Sequence, residues 1–410
     1  MTAFPLPLTE LLGQYGSYFI YLLVGLAFGA VLETAGFGNS KKLAAQFYFR
    51  DLTVFKVMFT AIIVAMTLIF LSSAVGLLDY SLIWVPPTYL WPGIVGGLIM
   101  GVGFIVGGFC PGTSLVGMAT GKVDGFFFVM GVLAGIFLFG ETVADFAVFF
   151  ESSYMGRFTL PELFGLSYGS VVLLVVVFAV LMFAGAEKIE KFMGGETAQH
   201  APRWAMPASA ALIALAALTL VIGQPDNDDR WKMIEAEKTK QLDEREVQIV
   251  PAELLSLIHD SKIKTVMLDV REEQHYNQFH ILGARHLARE DIVASAREFM
   301  FEPANTVFVV MSNDESAATE AWKMLKAESV PNVYILEGGV NNWIRTYADE
   351  EFVQERLIRK HQNEQPAWRF EAALGSRHPA AEPNQHAFEI EFEPKVKLEL
   401  KRAPTSGGCG

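Results

Sequence analysis

The sequence predicts an α-helical polytopic membrane domain with two internal repeats and a broken helix, followed by an α/β domain and a flexible tail. Three observations predict it. Residues 1–223 hold nearly all the long apolar runs, whereas the chain from Gln224 onward is charged and carries most of the formal net charge of −13. Within the apolar half, a shift of 72 positions lays one stretch of sequence on another. Within the charged half, β-branched runs alternate with helical stretches, the pattern of a largely parallel sheet.

Runs near the ~20 residues needed to cross a bilayer occur at 18–36, 54–78, 125–150, 167–186 and 206–223. The segment 92–121 is also apolar, but it is glycine-rich and interrupted at Cys110-Pro111. The N-terminus lacks the basic region of a cleavable signal, so the first run is expected to be a retained span. With no basic stripe, nucleic acid is not an expected partner; the lipid bilayer is. The two cysteines lie far apart and form neither a disulfide framework nor a metal-ligand cluster. No metal or cofactor is called for, and each thiol needs its own explanation.

The interruption reads Gly107-Gly108-Phe109-Cys110-Pro111-Gly112-Thr113-Ser114. Paired glycines allow close backbone approach, and Pro111 stops one helix and suits the start of another. Irregular backbone at membrane depth is tolerated only where it is buried in protein or lines a cavity. The plainer alternative is a tight kink with Cys110 as a small buried hydrophobe. The 72-position shift bears on this choice. It lays Gly25, Leu26 and Gly29 on Gly97, Leu98 and Gly101, Gly36-Phe37 on Gly108-Phe109, and Arg50 on Lys122. Two repeats follow, each a helix, a break and a further helix, and in repeat-built transporters such broken segments form the substrate site. Gly38 stands where the other repeat has Cys110, so one repeat alone supplies a thiol.

Gly-Phe-Cys-Pro-Gly-Thr (108–113), followed by Gly121-Lys122-Val123-Asp124-Gly125, resembles the YeeE/YedE family of sulfur-compound transporters over roughly residues 20–150. The resemblance implies a thiosulfate path in which Cys110 contacts the sulfane end of the anion. Full-length members use more than one cysteine, and this chain has no second one in its membrane half. The residues support anion binding independently. A helix N-terminus after Pro111 favours negative charge, so Gly108, Cys110, Pro111, Gly112, Thr113 and Ser114 form the expected substrate path, with Lys122 adding positive charge. Lys122 reads equally well as an interfacial snorkelling lysine. Glu33, Glu141 and Asp145 lie within apolar spans and are functional candidates by position. They are expected to pair with Lys122 or Arg157 or to carry protons, and for Asp145 an interfacial place is preferred.

Basic residues cluster at Lys41, Lys42 and Arg50, at Lys122, and at Lys188, Lys191 and Arg203. Placing all three clusters in the cytoplasm, with 92–121 as one crossing, puts residues 224–410 outside the cytoplasm of an inner-membrane protein. A re-entrant 92–121 would reverse that placement.

In the charged half, strands are expected at 247–250, 265–270, 305–311 and 332–336. Leu268-Asp269-Val270-Arg271, His280-Ile281-Leu282-Gly283-Ala284 and Leu336-Glu337-Gly338-Gly339 with Trp343 resemble a rhodanese domain over about residues 246–348. The resemblance places a nucleophilic cysteine after the strand ending at Met311. The chain has Ser312 there, then Asn313, Asp314 and Glu315. A hydroxyl cannot hold sulfane sulfur as a persulfide, and the two acids are expected to repel an anion, so no sulfurtransferase chemistry is expected from this loop. A domain without its nucleophile suggests binding, docking or regulation.

Residues 224–245 and 361–386 read as linkers, the second holding His361, His378 and His386. Residues 388–401 alternate apolar and polar, as an amphipathic strand or strand pair around Pro394 that must lie on something. The terminal Gly407-Gly408-Cys409-Gly410 resembles the mobile arm of the sulfur carrier SoxY, which implies that Cys409 carries sulfur covalently. The expected whole is a membrane transporter for a sulfur-containing anion. Cys409 and the rhodanese-like domain would handle sulfur at one face, where a sulfur-transfer protein docks. The alternative is a membrane-anchored sulfur-carrier or sulfurtransferase scaffold that does not transport.

Overall fold

The computed structural model describes residues 4–6, 8–83, 85–193, 204–358, 361–388 and 391–398. The chain divides between Gln224 and Pro225 into two compact units.

Among the described residues, six helical segments of the first unit are long and apolar enough to cross a membrane, namely Leu11–Thr34, Thr53–Ala74, Leu90–Ala119, Val123–Phe150, Tyr168–Phe192 and Ala205–Ile222. They are the six apolar segments of the sequence. Their element order is α1 (Leu8–Thr34), α2 (Ser40–Ala45), α3 (Thr53–Ala74), α4 (Leu90–Gly107), α5 (Pro111–Ala119) and α6 (Val123–Thr142). The short α7 (Ala147–Phe150) and α8 (Leu160–Phe164) then lead to α9 (Tyr168–Phe192) and α10 (Ala205–Ile222). Side chains such as Leu22, Phe28, Leu98, Ile99, Phe137 and Leu174 are exposed, as a lipid-facing surface requires.

The repeat seen in the sequence is a structural one. α1, a break and α2–α3 correspond to α4, a break and α5–α6. Phe37 and Phe109, equivalent under the 72-position shift, are both buried in one cluster with Leu43 and Val54. The Gly-Phe pairs are therefore pegs that hold the two breaks together. Gly108 has φ +72°, and a Cβ there would lie 2.9 Å from Ser40 Cβ and 3.1 Å from the Ser40 carbonyl oxygen. A second core joins α3, α9 and α10 through Ile63, Val172, Val176, Ala179 and Ala216. Buried Glu190 of α9 pins the start of α3, accepting from the Leu52 N–H at 2.6 Å and from Lys56 Nζ at 2.8 Å.

The second unit is α/β. Its order is α11 (Asn227–Asp243), β1 (Gln248–Ile249), α12 (Pro251–His259), β2 (Lys264–Asp269), α13 (Glu273–Gln278) and β3 (Arg285–His286). There follow α14 (Ile292–Phe299), β4 (Thr306–Met311), α15 (Ser316–Ala327), β5 (Val333–Leu336), α16 (Gly339–Tyr347) and α17 (Glu350–Glu355). The sheet runs β1-β5-β4-β2-β3 with every pairing parallel. β4 is buried along its whole length, which explains its unbroken apolar sequence. The four expected strands are present. The fifth, β3, is two residues long with Arg and His in it, and carries no β-like pattern.

Three readings of the connecting segments need correction. Residues 224–245 are not a bare linker: α11 packs on α15, with Trp231 edge-on to Trp322 at 6.3 Å and Arg230 paired with Glu328. Residues 361–386 are not a solvated linker either, because Ala367, Trp368, Ala380 and Ala381 are buried in the core of this unit. Their polarity is used in specific bonds; Trp343 Nε1, for example, donates to the Ala380 carbonyl at 2.7 Å. Residues 391–398 form no strand. The Lys395 and Val396 N–H groups donate to buried Glu253 Oε1 at 2.8 and 2.9 Å, so a side chain takes the place of a strand ladder.

Candidate functional site

The membrane break is built as two helix ends meeting at one thiol. Gly108 closes α4 in the left-handed conformation, its N–H donating to the Phe104 carbonyl. Cys110 is then the N-cap of α5, extended at φ −92° and ψ 166°, with Pro111 in the first helical turn. The cap is reciprocal. The Thr113 N–H donates to Cys110 Sγ at 3.4 Å, and the Cys110 N–H donates to Thr113 Oγ1 at 3.0 Å. The Thr113 hydroxyl proton has two acceptors in reach, the Cys110 carbonyl at 3.2 Å and Sγ at 3.3 Å. It can serve one at a time, so Sγ receives at least one donor and its own S–H stays free to turn outward.

Thr113 and Ser114 are buried, while Cys110 is half-buried. The Ser114 hydroxyl donates to the Pro111 carbonyl at 2.7 Å, which commits its proton inside the helix. The N–H groups of Thr113 and Ser114 go to Cys110 Sγ and the Cys110 carbonyl. Pro111 has none, so Gly112 supplies the N–H left over at this helix start.

Lys122 is the N-cap residue of α6, and its Nζ lies 3.5 Å from Glu33 Oε1 at the end of α1. Gly38, the counterpart of Cys110, sits beside this pair; a Cβ there would meet the Glu33 carboxylate and lie 2.9 Å from Lys122 Nζ. Glu33 is thus paired with Lys122, one of the alternatives the sequence left open. Glu141 and Asp145 are exposed, and the Arg157 guanidinium stands 5.0 Å above the centre of the Tyr80 ring. Ser40 of α2 donates to Asp124 of α6 at 2.7 Å, a second tie between the repeats.

In the α/β unit, Ser312 stands at the end of β4, fully buried. The following loop is pinned to the start of α16, where the Val340 and Asn341 N–H groups donate to the Ser312 and Asn313 carbonyls at 2.8 and 3.0 Å. Gly339, at φ +61°, permits this because any Cβ would overlap the Ser312, Asn313 and Asp314 carbonyl oxygens. The loop's donors point at one group that sequence reasoning missed, Glu364. Its Oε1 accepts from the Ser312 hydroxyl at 3.0 Å, the Ser316 N–H at 2.7 Å and the Ala317 N–H at 3.1 Å. Its Oε2 accepts from the Asn313 N–H at 3.2 Å.

The loop therefore holds a carboxylate, contrary to the expectation that Asp314 and Glu315 would repel one. Both acids are turned to other partners. Asp314 accepts from the Glu364 N–H and from Asn341 Nδ2, each at 2.9 Å. Glu315 is held by Arg245 at 2.7 and 2.9 Å and accepts from the Gly338 N–H at 2.7 Å. Burial alone would raise the Glu315 pKa, but these hydrogen bonds outweigh it and bring it below its ordinary value. His275 stands beside the loop, its Nδ1 3.1 Å from Asn313 Nδ2, and burial lowers its pKa. Nothing in the sequence around Glu364 marks it, since its partners are mostly backbone groups some 50 residues away.

The helical unit with its broken repeats and the five-stranded parallel domain together define a membrane-spanning protein joined to an α/β domain. A sulphur-transport family model matches residues 34–229, and a rhodanese-like domain model matches residues 250–346. The chain belongs to the rhodanese-like family through its α/β unit and carries a YedE-like sulphur-transport domain before it. The Probable transporter YedE of Escherichia coli (strain K12) is 27% identical over 166 residues, which cover 39% of this chain and 39% of that protein. The chain thus spans well under half of YedE. Thiosulfate sulfurtransferase GlpE of Pseudomonas entomophila (strain L48) is 30% identical over 103 residues, 25% of this chain and 89% of GlpE. GlpE of Pseudomonas putida (strain KT2440) matches with the same identity and coverage.

Proposed function

We propose that the chain transports a sulfur-containing anion, thiosulfate or a related sulfane compound, across the inner membrane. The observation that carries this reading is the reciprocal cap at Cys110, which holds a half-buried thiol at the start of a short helix within an apolar span. The thiol offers an S–H to a sulfane sulfur, and the Gly112 N–H with the positive helix end favours the anion's charge. Gly108, Pro111 and Thr113 set that geometry, Ser114 fixes the first turn, and Lys122 adds charge balanced by Glu33. The soluble half lies outside the cytoplasm in this reading. Ser312 is no nucleophile for sulfane sulfur, so the rhodanese-like domain binds or docks rather than catalyses. Cys409 would accept or deliver sulfur there or to a partner protein; it lies outside the described residues.

The test is uptake of sulfur-labelled thiosulfate into cells or vesicles by the intact chain, Cys110→Ala and Cys409→Ala. Transport with an accessory tail predicts uptake lost in the first variant and retained in the second. A well-folded intact chain that takes up no label overturns the reading.

A further inference from the structure

The loop after β4 and the first turn of α15 form a convergent set of donors: one hydroxyl and three backbone N–H groups. A site of this kind recognises the oxygens of an anion without needing a cation. What fills it is a side chain of the same molecule, carried on a segment that follows the sheet. That segment is bound as a strap by its backbone as well. The Glu364 N–H donates to Asp314 Oδ2 at 2.9 Å, and its carbonyl accepts from Asn313 Nδ2 at 2.9 Å. Glu364 itself holds φ +61°, a conformation a glycine adopts more readily. A carboxylate-bearing residue stands at that turn and directs its charge into the donors.

The strap is flanked by open space on both sides. A cleft of about 430 Å³ is lined by the acids Asp314, Glu315 and Glu320 together with Ser316, Thr319 and Asn363. Another of about 470 Å³ is lined by His275, His361, Trp368 and Arg369 among others. The second, with His275, His361 and Arg369 and no acid in its lining, is the route that suits an anion once Glu364 moves.

We infer that the Ser312–Ala317 loop is an anion site held closed by the chain's own Glu364, and that a small oxyanion of thiosulfate's kind competes with that carboxylate and releases the strap. The domain then reports anion concentration by exchanging an internal occupant for an external one. No covalent step is involved, and the inference does not depend on transport. Its apparent affinity is reduced by the fraction of molecules in which the strap is seated, so removing the Glu364 charge should tighten binding.

The experiment uses the full chain in detergent, in a Cys110→Ala background that silences the membrane thiol. Thiosulfate binding and hydrogen exchange are measured for Glu364, Glu364→Ala and Glu364→Gln; the glutamine keeps the strap's backbone bonds if the alanine variant fails to fold. The expected result is a thiosulfate Kd at least about tenfold lower in the variants. The amides of 312–317 should exchange faster in the variants and regain protection when thiosulfate is added. With Glu364 present, saturating thiosulfate should speed exchange across 361–370. Adding Ala317→Pro, which removes one donor from a first helical turn that tolerates proline, should weaken binding again. Equal affinity with and without Glu364, or amides at 312–317 that do not respond to thiosulfate in a folded variant, overturns the inference.

Discussion

Lys122 Nζ stands 3.5 Å from Glu33 Oε1, joining the end of α1 in one repeat to the start of α6 in the other. Each side chain is more than a third exposed, so the pair is worth less than about 1 kcal/mol of stability. Gly38 is the residue that lets the two charges meet. In Gly38→Ala the new Cβ encounters only the far ends of these flexible side chains, which can swing aside. The expected outcome is a nearly unchanged melting temperature with reduced thiosulfate uptake. Full uptake in that variant would remove the pair from the mechanism.

Cys110 has two separable roles, capping α5 and contacting sulfur. Serine is a strong N-cap residue, whereas alanine costs about 1 kcal/mol at such a position. Cys110→Ser should therefore melt like the parent, and Cys110→Ala slightly lower. Both should lose uptake by about tenfold or more, since a hydroxyl lacks the soft sulfur contact; tenfold corresponds to about 1.4 kcal/mol. Normal uptake by the serine variant would show that the cap, not the thiol, is what the break requires.

Gly108 is constrained twice, by φ +72° and by the Ser40 backbone beside it. The left-handed conformation alone costs an alanine about 1–2 kcal/mol, and the Ser40 carbonyl cannot swing away as a side chain can. Gly108→Ala should lower thermal stability more than Gly38→Ala does. Melting of the two purified variants side by side checks the order.

His378 is packed against Phe279, Phe352 and Phe370, and its Nδ1 accepts the Ala380 N–H at 3.1 Å. Burial lowers its pKa below the ordinary histidine value. The unfolded chain then binds a proton that the folded one refuses, so stability rises with pH in that window. It should be full above about pH 6.5, the unfolded value, and fall as the pH drops toward the lowered folded value. In His378→Asn, which retains a cap acceptor without titrating, thermal melts between about pH 5 and pH 7 should show a shallower slope. An unchanged slope would assign the acid sensitivity to other groups.

Both architectures were legible in the sequence because their signals are periodic or repeated. Six apolar segments, the Phe37–Phe109 correspondence and the continuous apolar β4 each follow from one dominant requirement, burial in lipid or in a sheet. What was not legible depends on pairs distant in sequence. Trp231 turns a charged stretch into a docked helix by meeting Trp322, and Glu253 replaces a strand ladder for Lys395 and Val396. Glu364 is the extreme case: its partners are mainly N–H groups, which leave no trace in residue identity. Cys110 could be found from its neighbours, but that Thr113 answers its cap reciprocally, and that the Ser114 hydroxyl donates to the Pro111 carbonyl, depends on the folded geometry.

The fastening of Lys395 and Val396 to Glu253 has a kinetic consequence. Cys409 lies thirteen positions beyond Val396, within about 44 Å of it at roughly 3.4 Å per residue. Any encounter of that thiol with a group on the same α/β unit is therefore a first-order search at an effective concentration on the order of millimolar. An encounter with a separate protein remains second-order. Diluting the protein should slow the second and leave the first untouched, and releasing Lys395 and Val396 from Glu253 should slow the first alone.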